Sequence, residues 1–139
     1  MQITKRTKDQ FVILAISGSL DLNNIKPVKE IFEDEIKKGT KYVVIDMKEL
    51  AYIDSSGIGS FIGLMSKLRQ IGGQVILMNM SPEIERIFSM TKLLAFFKVF
   101  KTEQDFIKAI PSFARSGGQA TKKKDDSSNS SGSSPGYIF

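Results

Sequence analysis

The 139-residue sequence contains no cysteine and no histidine. Without thiols there is neither a disulfide framework nor a thiolate site, and without imidazole a Ser-His-Asp triad, a histidine base and the usual zinc centres are excluded. Most hydrolase chemistry is thereby removed before any motif is considered. No apolar run approaches the roughly 20 residues that cross a bilayer, and the opening MQITKRTKDQ has no apolar core of the kind a signal peptide carries. Membrane insertion is not expected, and a cytoplasmic location is. A strong charge of one sign is missing as well. The net charge is +5, but residues 1–114 hold 16 basic and 13 acidic groups. Their basic residues (Lys26, Lys29, Lys37, Lys41, Lys67, Lys98) are scattered and not interleaved with aromatics, so direct nucleic-acid binding is not expected.

The 41% of apolar residues suits one globular domain with a substantial core. From Ser112 onward the composition shifts to Gly, Ser, Lys and Asp, which cannot bury enough surface to offset chain entropy. The expected division is a folded domain over 1–111 and a disordered tail over 112–139. The tail ends on Gly136-Tyr137-Ile138-Phe139, either a frayed end or a short docking motif.

Within the domain, strands and helices alternate. Val12 to Ile16 is a continuous apolar run, as in a strand covered on both faces. A helix follows, with Asn23 or Asn24 as cap, Pro27 in the first turn, Val28, Ile31, Phe32 and Ile36 on one face, and Gly39 as its end. Tyr42–Met47 and Gln74–Met80 read as further strands, separated by a helix that ends at Gly72-Gly73. This βαβ order predicts mostly parallel pairing. Ser81-Pro82-Glu83 opens a third helix, Phe96–Phe100 reads as a short strand, and Thr102 with Asp105 marks a last helix ending before Pro111.

The chemistry concentrates in YIDSSGIGSFIG, residues 52–63. On a helical wheel Ile58, Phe61, Ile62, Met65 and Leu68 form one side of the second helix, and Ser56, Gly59, Ser60, Gly63 and Lys67 the other. A solvated face usually carries long charged residues, and glycine inside a helix costs about 1 kcal/mol relative to alanine. Either a neighbouring loop approaches closely, or the stripe is a smooth docking surface. The helix starts near Ser55, where its free N–H groups and dipole favour an anion. Asp54 or Ser55 serves as its N-cap. Gly57-Ile58-Gly59 lacks the rest of a nucleotide-binding fingerprint. A serine nucleophile would have only a carboxylate or a lysine as base. Asp21, Asp46 and Asp54 are three possible oxygen ligands for a metal, but Asp46 lies within a strand and its side chain need not share a side with Asp54. No metal, cofactor or catalytic residue is expected.

Residues 1 to about 110 resemble the anti-sigma factor antagonist family, the single-domain form of the STAS fold. The residues that carry the resemblance are Gly18-Ser19-Leu20-Asp21, Val43-Val44-Ile45-Asp46, Ile53-Asp54-Ser55-Ser56-Gly57-Ile58-Gly59, the step from Gly72-Gly73 to Val75-Ile76-Leu77, Phe88, and Leu93-Leu94 to Phe100. The resemblance implies an α/β fold with a small mixed, mostly parallel sheet of four to five strands packed against about four helices. It also implies a switch. Ser55 (or, as second choice, its neighbour Ser56) is phosphorylated by an anti-sigma factor that is a serine kinase; the unphosphorylated form binds that partner and frees the sigma factor; a PP2C-type phosphatase restores it. On this reading the chain is no enzyme. Asp21, Asn24, Asp54, Ser56, Gly57, Gly59, Ser60 and Gly63 form the partner-binding surface, and the helix N-terminus holds the phosphate. The alternative keeps the fold and makes the chain an accessory subunit of a transport or other signalling complex, docking through the same helix without phosphorylation. A small enzyme acting through Asp54 and Ser55 on a phosphorylated substrate is opposed by the missing His, Cys and phosphate-binding motif.

Overall fold

A computed structural model describes residues 1–119, with side chains to Phe113. In chain order the elements are β1 (Gln2–Lys8), β2 (Phe11–Leu20), α1 (Ile25–Lys37), β3 (Tyr42–Asp46), β4 (Leu50–Ile53), α2 (Ser55–Gln70), β5 (Gln74–Met78), α3 (Pro82–Thr91), a 3-10 turn (Leu94–Phe96), β6 (Lys98–Phe100) and α4 (Glu103–Gln119). The sheet order is β1-β2-β3-β5-β6, with β4 added to the far end of β2. β1 runs antiparallel to β2 and every other pairing is parallel.

Alternation along the strands decides the layers. Val12, Leu14 and Ile16 of β2, with Val43, Ile45, Val75 and Leu77, face α1, α2 and α3 and make the larger core with Val28, Phe32, Phe61, Leu68 and Phe88. Phe11, Ile13, Val44, Ile76 and Met78 face the other way, against Phe106, Ile110 and Phe113 of α4. Both faces of the central strands are covered, as the unbroken apolar runs require. Phe11 meets Phe106 and Phe113 edge-on at centroid distances of 5.1 and 5.4 Å.

The sheet has six strands, more than the four to five expected. Gln2–Lys8 carries one apolar residue, Ile3, which packs on the larger core. The rest of β1 is held by its ladder and by ions on both faces. Lys5 donates to Glu35 of α1 at 2.7 Å. On the opposite face Arg6 makes two 2.8 Å bonds to Glu103 of α4. Such attachments leave no hydrophobic alternation to read.

Most helix ends follow the sequence. Ser81 Oγ accepts the Ile84 N–H at 3.2 Å with Pro82 in the first turn of α3, and Thr102 Oγ1 accepts the Asp105 N–H at 3.1 Å. Gly73 lies against the Lys41 carbonyl so closely that a Cβ would collide with it, which permits the bond of 2.9 Å from the Gln74 N–H to that carbonyl and starts the β3–β5 register.

Two expectations hold only in part. Asn24 occupies the N-cap position of α1 but its side chain makes no cap bond, because its amide is committed to the preceding loop. The last helix does not end before Pro111 but continues to Gln119. A proline inside a helix removes a hydrogen bond and costs about 3 kcal/mol. Burial of Phe113 against Phe11, Tyr42 and Phe100 offsets part of that cost. Helix α4 thus runs on past residue 111. The expectations for the tail beyond Gln119, including Tyr137-Ile138-Phe139, lie outside the described residues.

Candidate functional site

β4 pairs with the end of β2, Ser19 with Tyr52 and Leu20 with Ile53, across a bulge at Gly18/Ser19. This pairing sets the start of α2 beside the β2–α1 loop, so that Asp21, Asn24, Asp54 and Ser55 come together from two chain segments. The Asp54 N–H donates to the Leu20 carbonyl at 3.1 Å.

Asp54 is the N-cap. Its Oδ1 accepts from the Ser56 and Gly57 N–H groups at 2.9 and 3.1 Å, and its Oδ2 from the Leu22 N–H at 3.2 Å. With the cap supplied by its neighbour, Ser55 stands exposed at the first helical position, and its hydroxyl has no hydrogen-bond partner among the described residues. Ser56 is half-buried. Since the Asp54 carboxylate already occupies the Ser56 and Gly57 donors, a phosphate on Ser55 would meet a carboxylate where free N–H groups were expected. The helix end does not offer those two donors to it.

The loop before α1 is held by its own polar groups. The Asp21 N–H donates to Asn24 Oδ1 at 2.9 Å, the Asn23 N–H to Asp21 Oδ1 at 2.9 Å, and Asn24 Nδ2 to the Ser19 carbonyl at 2.6 Å. Asp21 and Asn24 thus shape the surface beside Ser55.

The small-residue stripe divides. Ser60 is only 6% exposed and its Oγ donates to the Gly57 carbonyl at 2.7 Å. Gly57 is buried too, and a Cβ there would lie 2.6 Å from Ile53 Cγ1 and 3.0 Å from Leu20 Cγ. Neither forms the surface expected of it: α2 is rotated so that both are turned inward, Gly57 against Ile53 of β4 and Leu20 of β2. Gly59 and Gly63 are exposed with nothing within 4 Å of the position a Cβ would take. Among the described residues no contact requires glycine at either position.

Asp46 is separated from this group. It is buried, accepts from the Lys48 N–H at 3.0 Å and from Asn79 Nδ2 at 2.9 Å, and lies 3.6 Å from Arg6. Among the described residues no cluster of three or more acids forms a metal site, and no helix is long and apolar enough to cross a membrane. Leu22, 72% exposed, is tied to the helix cap by the bond from its N–H to Asp54, a link that patterning missed. The one available signal was an apolar residue amid polar turn formers, Leu22 within Asp21-Leu22-Asn23-Asn24.

The described residues form an α/β domain with a mixed sheet, helices on both faces, and an exposed serine beside a capped helix end and a hydrogen-bonded loop. The model of the STAS domain matches residues 2–106, and the chain belongs to that family. It is 27% identical over 93 residues to the anti-sigma-B factor antagonist of Staphylococcus aureus, covering 67% of this chain and 86% of that protein. Its fold is similar to that of the anti-sigma factor antagonist SpoIIAA in unphosphorylated form (TM-score 0.64, 22% identity, 79% of this chain and 98% of that one). The Bacillus SpoIIAA in phosphorylated form gives a TM-score of 0.62 at 22% identity over 78% and 99% of the two chains. An anti-sigma factor antagonist from Mycobacterium paratuberculosis gives 0.72 at 18% identity over 79% and 93%.

Proposed function

We propose that the chain is a phosphorylation-controlled anti-sigma factor antagonist of the cytoplasm. Its unphosphorylated form binds an anti-sigma factor with serine kinase activity and releases the sigma factor; phosphate on Ser55 blocks that binding; a PP2C-type phosphatase reverses the block. The reading is carried by Ser55 itself, exposed at the head of α2 with a hydroxyl that has no partner among the described residues because Asp54 has taken the cap. The half-burial of Ser56 makes it the poorer acceptor. Support also comes from a relative of this fold, SpoIIAA, described both with and without phosphate.

A phosphoserine carries about two negative charges at neutral pH. Here it adds them next to the Asp54 carboxylate and at the head of the bare Gly59–Gly63 face. A partner helix packed on that face meets a hydrated dianion, and the fold need not change for the contact to fail. ATP belongs to the kinase, and the chain supplies an acceptor hydroxyl and a surface.

The experiment pairs phosphopeptide mass spectrometry of the protein from its own cells with binding of wild type, Ser55→Ala and Ser55→Asp to the purified anti-sigma factor kinase encoded in the same genome. Phosphate on Ser55, with binding kept by Ala and lost by Asp, is the expected result. An unmodified Ser55 and equal binding by all three overturn the switch and favour the accessory-subunit reading.

A further inference from the structure

We propose that Leu22, at the tip of the β2–α1 loop, is the apolar anchor of the docking surface, and that it enters an apolar cleft of the partner rimmed by basic side chains. The inference rests on the reading that the partner docks at the head of α2, and it names the chemistry of that contact.

Leu22 is 72% exposed, yet the loop that carries it is fixed by five hydrogen bonds. Besides the three formed by the Asp21 N–H, the Asn23 N–H and the Asn24 amide, the Asn24 N–H donates to the Asp21 carbonyl at 3.1 Å and the Leu22 N–H to Asp54 Oδ2. A leucine held out into water forgoes the stabilisation of burying its side chain. A loop already fixed in one geometry loses little conformational freedom when a partner covers it, so the side chain is preorganised for insertion. Tyr52, 48% exposed and paired with Ser19 on β4, adds a second apolar surface with a polar tip, of a residue type enriched where interfaces concentrate their binding energy.

Charge identifies the rim of the cleft. Glu33, Glu35, Asp46 and Glu103 each have a lysine or arginine partner within this chain. Asp21 and Asp54, like most acids of the described residues, form no ion pair there, but these two lie against the exposed Leu22, Asp21 as its chain neighbour and Asp54 through the bond it accepts from the Leu22 N–H. Their carboxylates are left to complement lysine or arginine side chains from outside. The same feature disfavours a second copy of this chain as occupant, because a two-fold contact through this face would set the acids of one copy against those of the other.

The test titrates the full chain against the purified anti-sigma factor kinase of the same genome by calorimetry at two salt concentrations. Leu22→Ala is expected to weaken binding about tenfold and Leu22→Met to restore it, with the melting temperature unchanged in both because Leu22 supports no core. Asp21→Asn keeps the oxygen that accepts the Asn23 N–H while removing the charge; it is expected to weaken binding and flatten the salt dependence. Wild-type affinity in Leu22→Ala overturns the anchor, and an unaltered salt dependence in Asp21→Asn overturns the basic rim. The two readings separate through Ser55→Asp. If it binds like wild type while Leu22→Ala is weakened, the phosphoswitch fails and the anchor stands; the reverse pattern removes the anchor and keeps the switch. Self-association in sedimentation that Leu22→Ala abolishes would assign the surface to a second copy and overturn the proposal. Absence of any binding by wild type overturns both readings.

Discussion

Leu22 and Asp54, thirty-two residues apart, are joined by a 3.2 Å hydrogen bond from the Leu22 N–H to Asp54 Oδ2, while Oδ1 of the same carboxylate caps α2. One side chain thereby fixes both the helix that presents Ser55 and the loop beside it. Replacement of Asp54 by alanine should cost about 1 kcal/mol through the lost cap and also free the loop. Thermal denaturation measures the first effect; hydrogen exchange at the Leu22 amide, faster in the variant, measures the second. Unchanged exchange there would show that the loop is held without Asp54.

Two glycines of α2, two residues apart, are expected to respond oppositely to alanine. Gly57→Ala drives a Cβ into the buried Ile53 and Leu20 side chains and should destabilise the domain by about 1–3 kcal/mol. Gly59→Ala meets open space and should stabilise it by about 0.5–1 kcal/mol through helix propensity, while weakening partner binding. Chemical denaturation and calorimetry together check the pair. A Gly59→Ala protein that gains stability and keeps full affinity would remove Gly59 from the docking face.

Acid should loosen β1. Burial of Glu35, 2% exposed, pushes its pKa up, but the bonds from Lys5 and Thr40 and the charge of Lys38 outweigh this and hold it below the ordinary glutamate value. Glu103 is lowered as well, chiefly by its bonds from Arg6. Folded carboxylates that bind protons less readily than unfolded ones stabilise the fold fully above the unfolded pKa and lose that contribution as the pH falls through the folded one. Stability measured by denaturant should therefore decline below the ordinary glutamate range, and less steeply in Glu35→Gln, which cannot titrate. Parallel declines in wild type and variant would assign acid sensitivity elsewhere.

Phe113, two residues past Pro111, belongs to the smaller core. Phe113→Ala should cost about 3 kcal/mol, since the ring is buried among Phe11, Tyr42 and Phe100. A chain ending at Pro111 should melt lower than the full chain, and one ending at Gln119 should match it. Equal melting of the shorter chain would return the boundary to residue 111.

The patterns that rest on hydrophobic periodicity were legible in the sequence. The doubly covered β2, the parallel order of β3 and β5 and the cap of α3 follow from residues close together in the chain. β1 was illegible because one isoleucine and a set of ion pairs to Glu35 and Glu103 leave no alternation. α4 reads short in the sequence because proline is a strong local stop signal, while the aromatic contacts that carry the helix past Pro111 come from Phe11 and Tyr42, far away in sequence.

For the site, the sequence by itself determined the segment, the acid before the serine and the small residues after it, because capping chemistry and helical spacing are local. Only the tertiary structure decided which of these residues face outward. The rotation of α2 on the sheet buries Gly57 and Ser60 and exposes Ser55, Gly59 and Gly63. The pairing of β4 with the end of β2 brings Leu22 and its loop to Asp54. Both depend on packing between segments, and a one-dimensional pattern contains no information on the angle at which a helix is set down.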